Sequence, residues 1–344
     1  MRILITGGAG FVGSNTAEYF LKKDAYVTVY DNMSRRGVER NAEWLQSKYG
    51  KTGQLEILKA DVLDSTALQN AVRDVDAIIH TAAQVAMTSS INDPVHDFNV
   101  NSLGTMNVLE AARKSGADPI VIFTSTNKVY GDLEDVKIEE RKTRYEYKEL
   151  KCGITETQPL DPISPYGCSK CAADTYTLDY HKTYGLKTIV MRMSCIYGIH
   201  QFGTEDQGWV CYFIASTLLD KPITIYGDGK QVRDVLYVTD LIKAFELAMK
   251  NINKTKGKAY NIGGGQKNTY SLLELIEYLR TLTGKKISPA FSEWRLGDQK
   301  VYYSNITRAK KDFGWTPEVD KKEGVKMLLD WVKGNLNVFK TFFA

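Results

Sequence analysis

A chain of 344 residues with 43% hydrophobic and 25% charged residues has a globular make-up, which excludes disordered and fibrous classes. Its length suits a large α/β domain carrying a smaller one. The net charge is only +4, from 45 basic and 41 acidic residues interspersed along the chain, so no nucleic-acid or anionic-membrane surface is expected.

The chain opens on a strand: Met1-Arg2-Ile3-Leu4-Ile5-Thr6-Gly7 lacks the segments of a signal peptide, and a cytoplasmic location is expected. Nor does any apolar run approach the ~20 residues of a membrane span. Residues 3–5, 27–30, 55–58, 77–80, 120–124 and 187–191 are short apolar runs of the kind buried on both faces in a parallel sheet. Amphipathic stretches at 12–23, 65–72, 100–115 and 168–184 alternate with them, which predicts α/β, a Rossmann-type doubly wound parallel sheet. Residues 132–158 form a charged connection long enough to be functional or to carry its own structure.

After Arg192 the alternation breaks. Residues 199–235 show no clean period, 237–250 and 259–262 read as a helix and strand of the main sheet, and 271–284 and 322–333 read as helices. The expected organisation is a nucleotide-binding domain of residues 1–192 with 236–264, and a smaller discontinuous substrate domain of 193–235 with 265–344. Cys152, Cys168, Cys171, Cys195 and Cys211 are read as reduced thiols. The C-x-x-C of Cys168 and Cys171 has no second C-x-x-C or His partner downstream at metal-ligand spacing, so small buried side chains are expected there and no metal.

Gly7-Gly8-Ala9-Gly10-Phe11-Val12-Gly13 sets G-x-x-G-x-x-G between a strand and a helix. Gly7 permits the tight turn, Gly10 lets the backbone approach a pyrophosphate, and Gly13 lets helix and strand pack closely. The helix start, at Phe11 and Val12, offers unpaired N–H groups and a positive dipole end. The second strand ends on Asp31, where a carboxylate meets ribose hydroxyls and repels a 2′-phosphate, favouring NAD over NADP. Asn32, Ser34 and Arg35 are assigned to the same cofactor loop. Asp61 and Val62 are placed towards the adenine, although Asp61 reads nearly as well as a turn or N-cap residue.

Hydride transfer at a sugar carbinol needs a base, a group that stabilises its charged form, and a hydroxyl that orients the oxygen. In Tyr166-Gly167-Cys168-Ser169-Lys170 the i, i+4 spacing puts phenol and ammonium on one helix face. The ammonium is expected to draw the phenol down from its ~10 reference, and Lys170 to hold the nicotinamide ribose. Thr124 and Thr126 close a strand at the carboxyl edge, where open α/β sheets bind ligands. Asn101 sits early in the preceding helix, and His80 reads as a satisfied core histidine.

Together these segments resemble the extended short-chain dehydrogenase/reductases of the nucleotide-sugar epimerase and dehydratase group over nearly the whole chain. The resemblance implies Tyr166 as base, Lys170 as its partner, Thr126 as the orienting hydroxyl and Asn101 as a structural helper. It implies that Ala82, Ala83 and Gln84 face the cofactor, that Arg233 meets the nucleotide diphosphate, and that Arg295 and Asp298 bind the nucleotide. Cys195 stands where many relatives carry Asn, and His200 where close relatives often show Arg.

Dehydratases of the group place an acidic pair just after the hydroxyl residue. Here those positions hold Asn127 and Lys128, which leaves loss of water without a catalyst. Residues 31–37, 41–45, 84–90, 125–134 and 206–210 resemble the CDP-paratose 2-epimerases, also called CDP-tyvelose 2-epimerases. That resemblance implies inversion at C2 of a CDP-linked hexose, such as CDP-paratose, CDP-tyvelose or CDP-glucose, through a 2-keto sugar, with tightly bound NAD regenerated each turnover. Met87, Asn127, Gln201, Gln207 and Trp209 are assigned to the sugar pocket. A homodimer or homotetramer through helices 100–115 and 168–184 is implied by analogy. The competing readings are a UDP-sugar 4-epimerase with the same Thr, Tyr and Lys, and a catalytically silent NAD-binding protein.

Overall fold

In the computed structural model, which describes residues 1–343, strands and helices alternate as the apolar periods require. β1 (Arg2–Thr6) leads into α1 (Phe11–Leu21), β2 (Tyr26–Asp31) into α2 (Val38–Tyr49), and β3 (Leu55–Lys59) into α3 (Ser65–Ala71). β4 (Ala77–His80) precedes α4 (Met87–Asn92), α5 (Pro94–Phe98), a π-helical turn (Asn99–Leu103) and α6 (Gly104–Lys114). β5 (Ile120–Thr126) runs into a 3₁₀ turn (Asn127–Tyr130), followed by the hairpin of β6 (Ile138–Glu140) and β7 (Tyr145–Tyr147). The long α7 (Ser164–Tyr184), β8 (Lys187–Met193), β9 (Cys195–Tyr197) and α8 (Trp209–Leu218) come next.

Beyond these lie β10 (Thr224–Tyr226), β11 (Val232–Tyr237), α9 (Val238–Lys250), α10 (Ile252–Thr255), β12 (Lys258–Ile262) and β13 (Thr269–Ser271). The chain continues with α11 (Leu272–Thr283), β14 (Ala290–Ser292), β15 (Val301–Tyr302), α12 (Thr307–Phe313), α13 (Lys321–Gly334) and α14 (Leu336–Phe342).

Seven parallel strands form the main sheet in the order β12-β8-β5-β4-β1-β2-β3. The chain reverses its direction of travel across the sheet between β1 and β4, which opens a crevice at the carboxyl ends of those strands. Helices cover both faces, so β4 is buried at every position and β1 at all but its first. Each apolar side chain so enclosed contributes about 1.5–3 kcal/mol. β9 leaves the main sheet one residue after β8 and pairs with β11, which also pairs with β13 and β15. The chain thereby hangs a second small sheet over the carboxyl edge.

Several segments differ from the sequence reading for physical reasons. Residues 38–49 form a helix whose buried Val38, Asn41, Ala42 and Leu45 make a narrow stripe in an otherwise polar stretch. α8 has no legible period because it is buried nearly all round, from Val210 and Cys211 to Phe213 through Thr217. The 132–158 connection carries the β6–β7 hairpin, with Tyr145 and Tyr147 packed against Val301, Tyr302 and Tyr303. Of the C-x-x-C pair, Cys168 is exposed rather than buried and Cys171 is half-buried, because the helix turns position 168 away from the core. No helix among the described residues is long and apolar enough to cross a membrane.

A buried ion pair ties α7 to the sheet. Asp174 on α7 accepts two bonds from Arg192 on β8, both 2.9 Å, and one from Ser125 Oγ on β5 at 2.7 Å. Arg192 also donates to the Tyr130 hydroxyl at 3.1 Å, which donates to Asn261 Oδ1 on β12 at 2.7 Å. The side chains are 5% and 0% exposed, so removing one partner strands the other away from water. Asp174→Ala is expected to cost about 3–5 kcal/mol of unfolding free energy, and Asp174→Leu with Arg192→Met clearly less, as read by urea denaturation.

Candidate active site

The turn after β1 admits only glycine at its tight points. A Cβ on Gly7, whose φ is +65°, would lie 2.6 Å from Ala82 N, and one on Gly13 would lie 2.2 Å from Gly7 O. No side chain caps α1, so its first N–H groups remain for an anion. Phe11 and Val12 in that first turn are half-buried. Asp31 closes β2 beside this loop, accepting from Ala9 N at 3.0 Å and Met33 N at 2.9 Å; burial raises its pKa.

Asp61 is a turn residue, with Oδ1 on Leu63 N at 2.9 Å and Oδ2 accepting from Asn32 Nδ2 at 2.8 Å. The helix cap is Asp64 instead, and Val62 is buried. Ser34 and Arg35 are exposed, whereas Arg36 is tied to α14 by Thr341 O at 3.0 Å and by the Phe342 ring. Ala82, Ala83 and Gln84 run half-buried past Gly7. These residues fit a dinucleotide: bare backbone and a helix start for the pyrophosphate, and a carboxylate at the end of β2 for ribose hydroxyls.

Tyr166 lies in the first turn of α7, its backbone N–H donating to Ser90 Oγ at 3.2 Å and its phenol close enough to the Thr126 hydroxyl to feel it. Thr126 Oγ1 also accepts from Lys128 N at 3.2 Å. One helical turn on, Lys170 Nζ donates to Thr124 O at 2.7 Å and lies 4.1 Å over the Phe123 ring. The expectation of a lowered phenol is corrected by this geometry. Burial pushes Tyr166 up to about 12; the Thr126 hydroxyl works against that rise and the Asp97 charge adds to it. Burial likewise brings Lys170 down to about 7, against the pull of Asp174 and Asp97. A shared helix face puts the ammonium within reach of the phenol, but here the Thr124 carbonyl holds it.

Asn101 lies in the π-helical turn rather than in a regular helix. Its Nδ2 is shared among Gln84 O, Asp97 Oδ1 and Ser169 Oγ, each at 3.1 Å, and its Oδ1 accepts from Gln84 N at 3.0 Å. It thus pins the loop after β4 to α7. His80 is flanked by Thr6 Oγ1 at 2.6 Å and Thr105 Oγ1 at 3.0 Å, and burial takes it down to about 3. It is a neutral core group.

The assigned substrate residues fall into two groups. Near Thr126, Asn127 Nδ2 donates to Gln299 Oε1 at 2.9 Å, and Gln299 donates on to Gly131 O, so the Asn127 amide is held inside the protein. Met87 borders Gly297, and Arg233 reaches Asp298 Oδ1 at 3.3 Å. The second group surrounds the loop before α8. Gln201 is buried with Nε2 on Ile196 O at 3.3 Å, Gln207 bridges to Thr204, and Trp209 meets Phe213 edge-on. Arg295 pairs with Asp206 at 3.2 Å and stacks 3.7 Å over Tyr226, facing away from Asp298.

Lys128, Gln299 and Asp97 make site contacts that motif reading passed over. Lys128 had a signal in its place two residues after Thr126, and Asp97 in its place one turn before Asn101. Gln299 had none, since only the folding of β15 against the hairpin brings it there. His200 stacks 3.8 Å from Trp44, and burial lowers it to about 4, so it supplies no cation in the manner of an Arg.

A lysine whose folded pKa is depressed to about 7 opposes folding below that pH, and the penalty fades as pH rises towards the unfolded value of ~10.4. Lys170→Met is therefore expected to raise the melting temperature near neutral pH and to lose that advantage by about pH 10, in thermal melts across the range.

Comparison with known proteins places this geometry. The family model described as GDP-mannose 4,6 dehydratase matches residues 4–328. CDP-paratose 2-epimerase of Salmonella typhi is 42% identical over 338 residues, 96% of this chain and 99% of that protein. UDP-glucose 4-epimerase of Thermotoga maritima, solved with UDP-glucose, superposes with a TM-score of 0.82 at 30% identity, covering 98% of this chain and 100% of that one. The dTDP-glucose 4,6-dehydratase DesIV of Streptomyces venezuelae, solved with NAD, gives 0.85 at 27% identity, covering 99% and 100%. With the glycine turn, Asp31 and the Thr126–Tyr166–Lys170 group in place, the chain belongs to the extended short-chain dehydrogenase/reductase family of nucleotide-sugar epimerases and dehydratases, whose members use NAD.

Proposed function

We propose that the protein is an NAD-dependent epimerase inverting C2 of a CDP-linked hexose. The observation that carries this reading is the 42% identity to CDP-paratose 2-epimerase across 96% of the chain. The chemistry after Thr126 supports it: Asn127 and Lys128 bring no carboxylic acid to drive loss of water, and Asn127 is engaged by Gln299.

In this reading the Gly7–Gly13 turn, Asp31 and the Ala82–Gln84 strip would hold NAD, which would supply reversible hydride transfer when bound. Thr126 orients the C2 hydroxyl towards Tyr166, whose phenol lies beside it. Tyr166 Oη takes the hydroxyl proton on oxidation and returns it on reduction. Burial opposes the phenolate, and the cation available to offset that cost is Lys170, one turn on along the same helix. The sugar turns between the two steps, so binding must come from the nucleotide end while the hexose stays free.

The same reading divides the chain after residue 192, where β9 leaves the main sheet, and returns residues 236–264 to it through α9 and β12. It also carries a homodimer or homotetramer through the helices at 100–115 and 168–184, where Leu103, Tyr176 and Tyr184 are exposed.

Incubation with CDP-, UDP-, GDP- and dTDP-hexoses, with NMR assignment of the inverted carbon, is expected to show inversion at C2 of a CDP-sugar. Inversion at C4 alone would point to a 4-epimerase. Tyr166→Phe is expected to lower kcat by roughly 10²- to 10⁴-fold while the purified protein keeps its NAD, read by mass spectrometry of the nucleotide released on denaturation.

A further inference from the structure

Two cations share one carboxylate oxygen at the joint between the main sheet and the small C-terminal sheet. Lys128, in the 3₁₀ turn after β5, places Nζ 2.9 Å from Gly297 O and 3.7 Å from Asp298 Oδ1. Arg233, on β11, reaches the same oxygen at 3.3 Å. The side chains are 20%, 9% and 22% exposed for Lys128, Arg233 and Asp298, so the group is largely out of water. Among the described residues, Asp298 is the one carboxylate within ion-pair distance of either cation, which leaves a net charge of +1.

The neighbours do not cancel that charge. Burial raises the Cys195 thiol, which lies near both cations, so it stays neutral. Asp234, next along β11, is already engaged by Ser194 and by the N–H groups of Gly265 and Ser304. Both contacts to Asp298 exceed the ~2.7–2.9 Å of a well-made charged hydrogen bond. A structural ion pair has short bonds and balanced charge; this group has neither. Burial, and then Arg233, bring the Lys128 ammonium down to about 8 in spite of Asp298. An ammonium has three donors, and one is committed to Gly297 O.

We propose that Lys128 is a substrate ligand, gripping the diphosphate of the nucleotide sugar together with Arg233 while Asp298 is the counter-ion both release. This rests on the reading that Arg233 faces a diphosphate, and on neither the base nor the carbon inverted. Lys128 is rooted two residues from Thr126, whose Oγ1 its own N–H contacts, so the grip sets the distance from the phosphate to the reacting hydroxyl. The hexose between them stays free to turn.

The test is calorimetric binding of CDP and CMP, UDP and UMP, and dTDP and dTMP to the intact purified protein. The readout is the preference for diphosphate over monophosphate with whichever base binds, which is independent of the reaction catalysed. Lys128→Met is expected to weaken the diphosphate by roughly 10- to 100-fold and the monophosphate by less than about 3-fold. Lys128→Arg should retain most of the affinity. Lys128→Gln, which keeps a donor for Gly297 O, serves as the second variant should the Met protein fold poorly.

Diphosphate should also draw a proton onto Lys128 at about pH 8.5, seen as a heat that depends on the buffer and is absent in Lys128→Met. Arg233, Asp298 and Cys195 are the charged and titratable groups facing it. An unchanged diphosphate preference in Lys128→Met or Lys128→Gln overturns the proposal. So does an equal loss of diphosphate and monophosphate affinity in Lys128→Met, which would mark a purely structural pair.

Discussion

The Asp174–Arg192 pair is the constraint on which the rest of the site depends. α7 carries Tyr166 and Lys170 at one end, and Asp174, one turn beyond Lys170, bolts it to β8 and β5. The bond from Arg192 to Tyr130 extends the bolt into the turn after β5, and Tyr130 passes it on to β12. Thr126, Tyr166 and Lys170 come from segments up to some forty residues apart, yet this one network sets their spacing. Buried charge is costly unless it is hydrogen-bonded, and here both Asp174 oxygens and all three Arg192 nitrogens have partners.

Burial governs the electrostatics of the site more than any neighbouring charge does. It raises Tyr166 and lowers Lys170, Lys128 and His80, each towards its neutral form. Such a site gains from an incoming group that brings compensating charge, because the low dielectric that penalises a lone ion strengthens a paired one. In the proposed reaction, anchoring by charge at the phosphate end and by the hydroxyl of Thr126 at the other would leave the middle of a ligand unconstrained. For a reaction that returns its substrate with one centre reversed, that freedom is the requirement.

Much of the Rossmann half was legible because its signals are local. Apolar runs of three to five residues between amphipathic stretches mark a sheet covered on both faces, and the structure has strands over all of them. Gly7 and Gly13 were readable because the steric demand at each falls on the residue itself. α8 was not, since full burial erases a period, and α2 was not, since its apolar stripe is narrow. The substrate side was the least legible. Asn127 looked like a pocket residue from its position after Thr126, but its amide is claimed by Gln299, 172 residues away.

The sequence by itself determined the sheet, the dinucleotide turn and the identity of the Thr, Tyr and Lys that meet at its carboxyl edge, because each depends on spacing within one strand or one helix. Only the tertiary structure decided their electrostatic state. The i, i+4 spacing put Lys170 beside Tyr166, but the direction of both pKa shifts follows from how much water the fold excludes and from the carbonyl that holds the ammonium. The Lys128–Arg233–Asp298 group likewise joins three stretches with no local signal in common. Desolvation and long-range pairing are properties of the packed molecule, and no period in the chain encodes them.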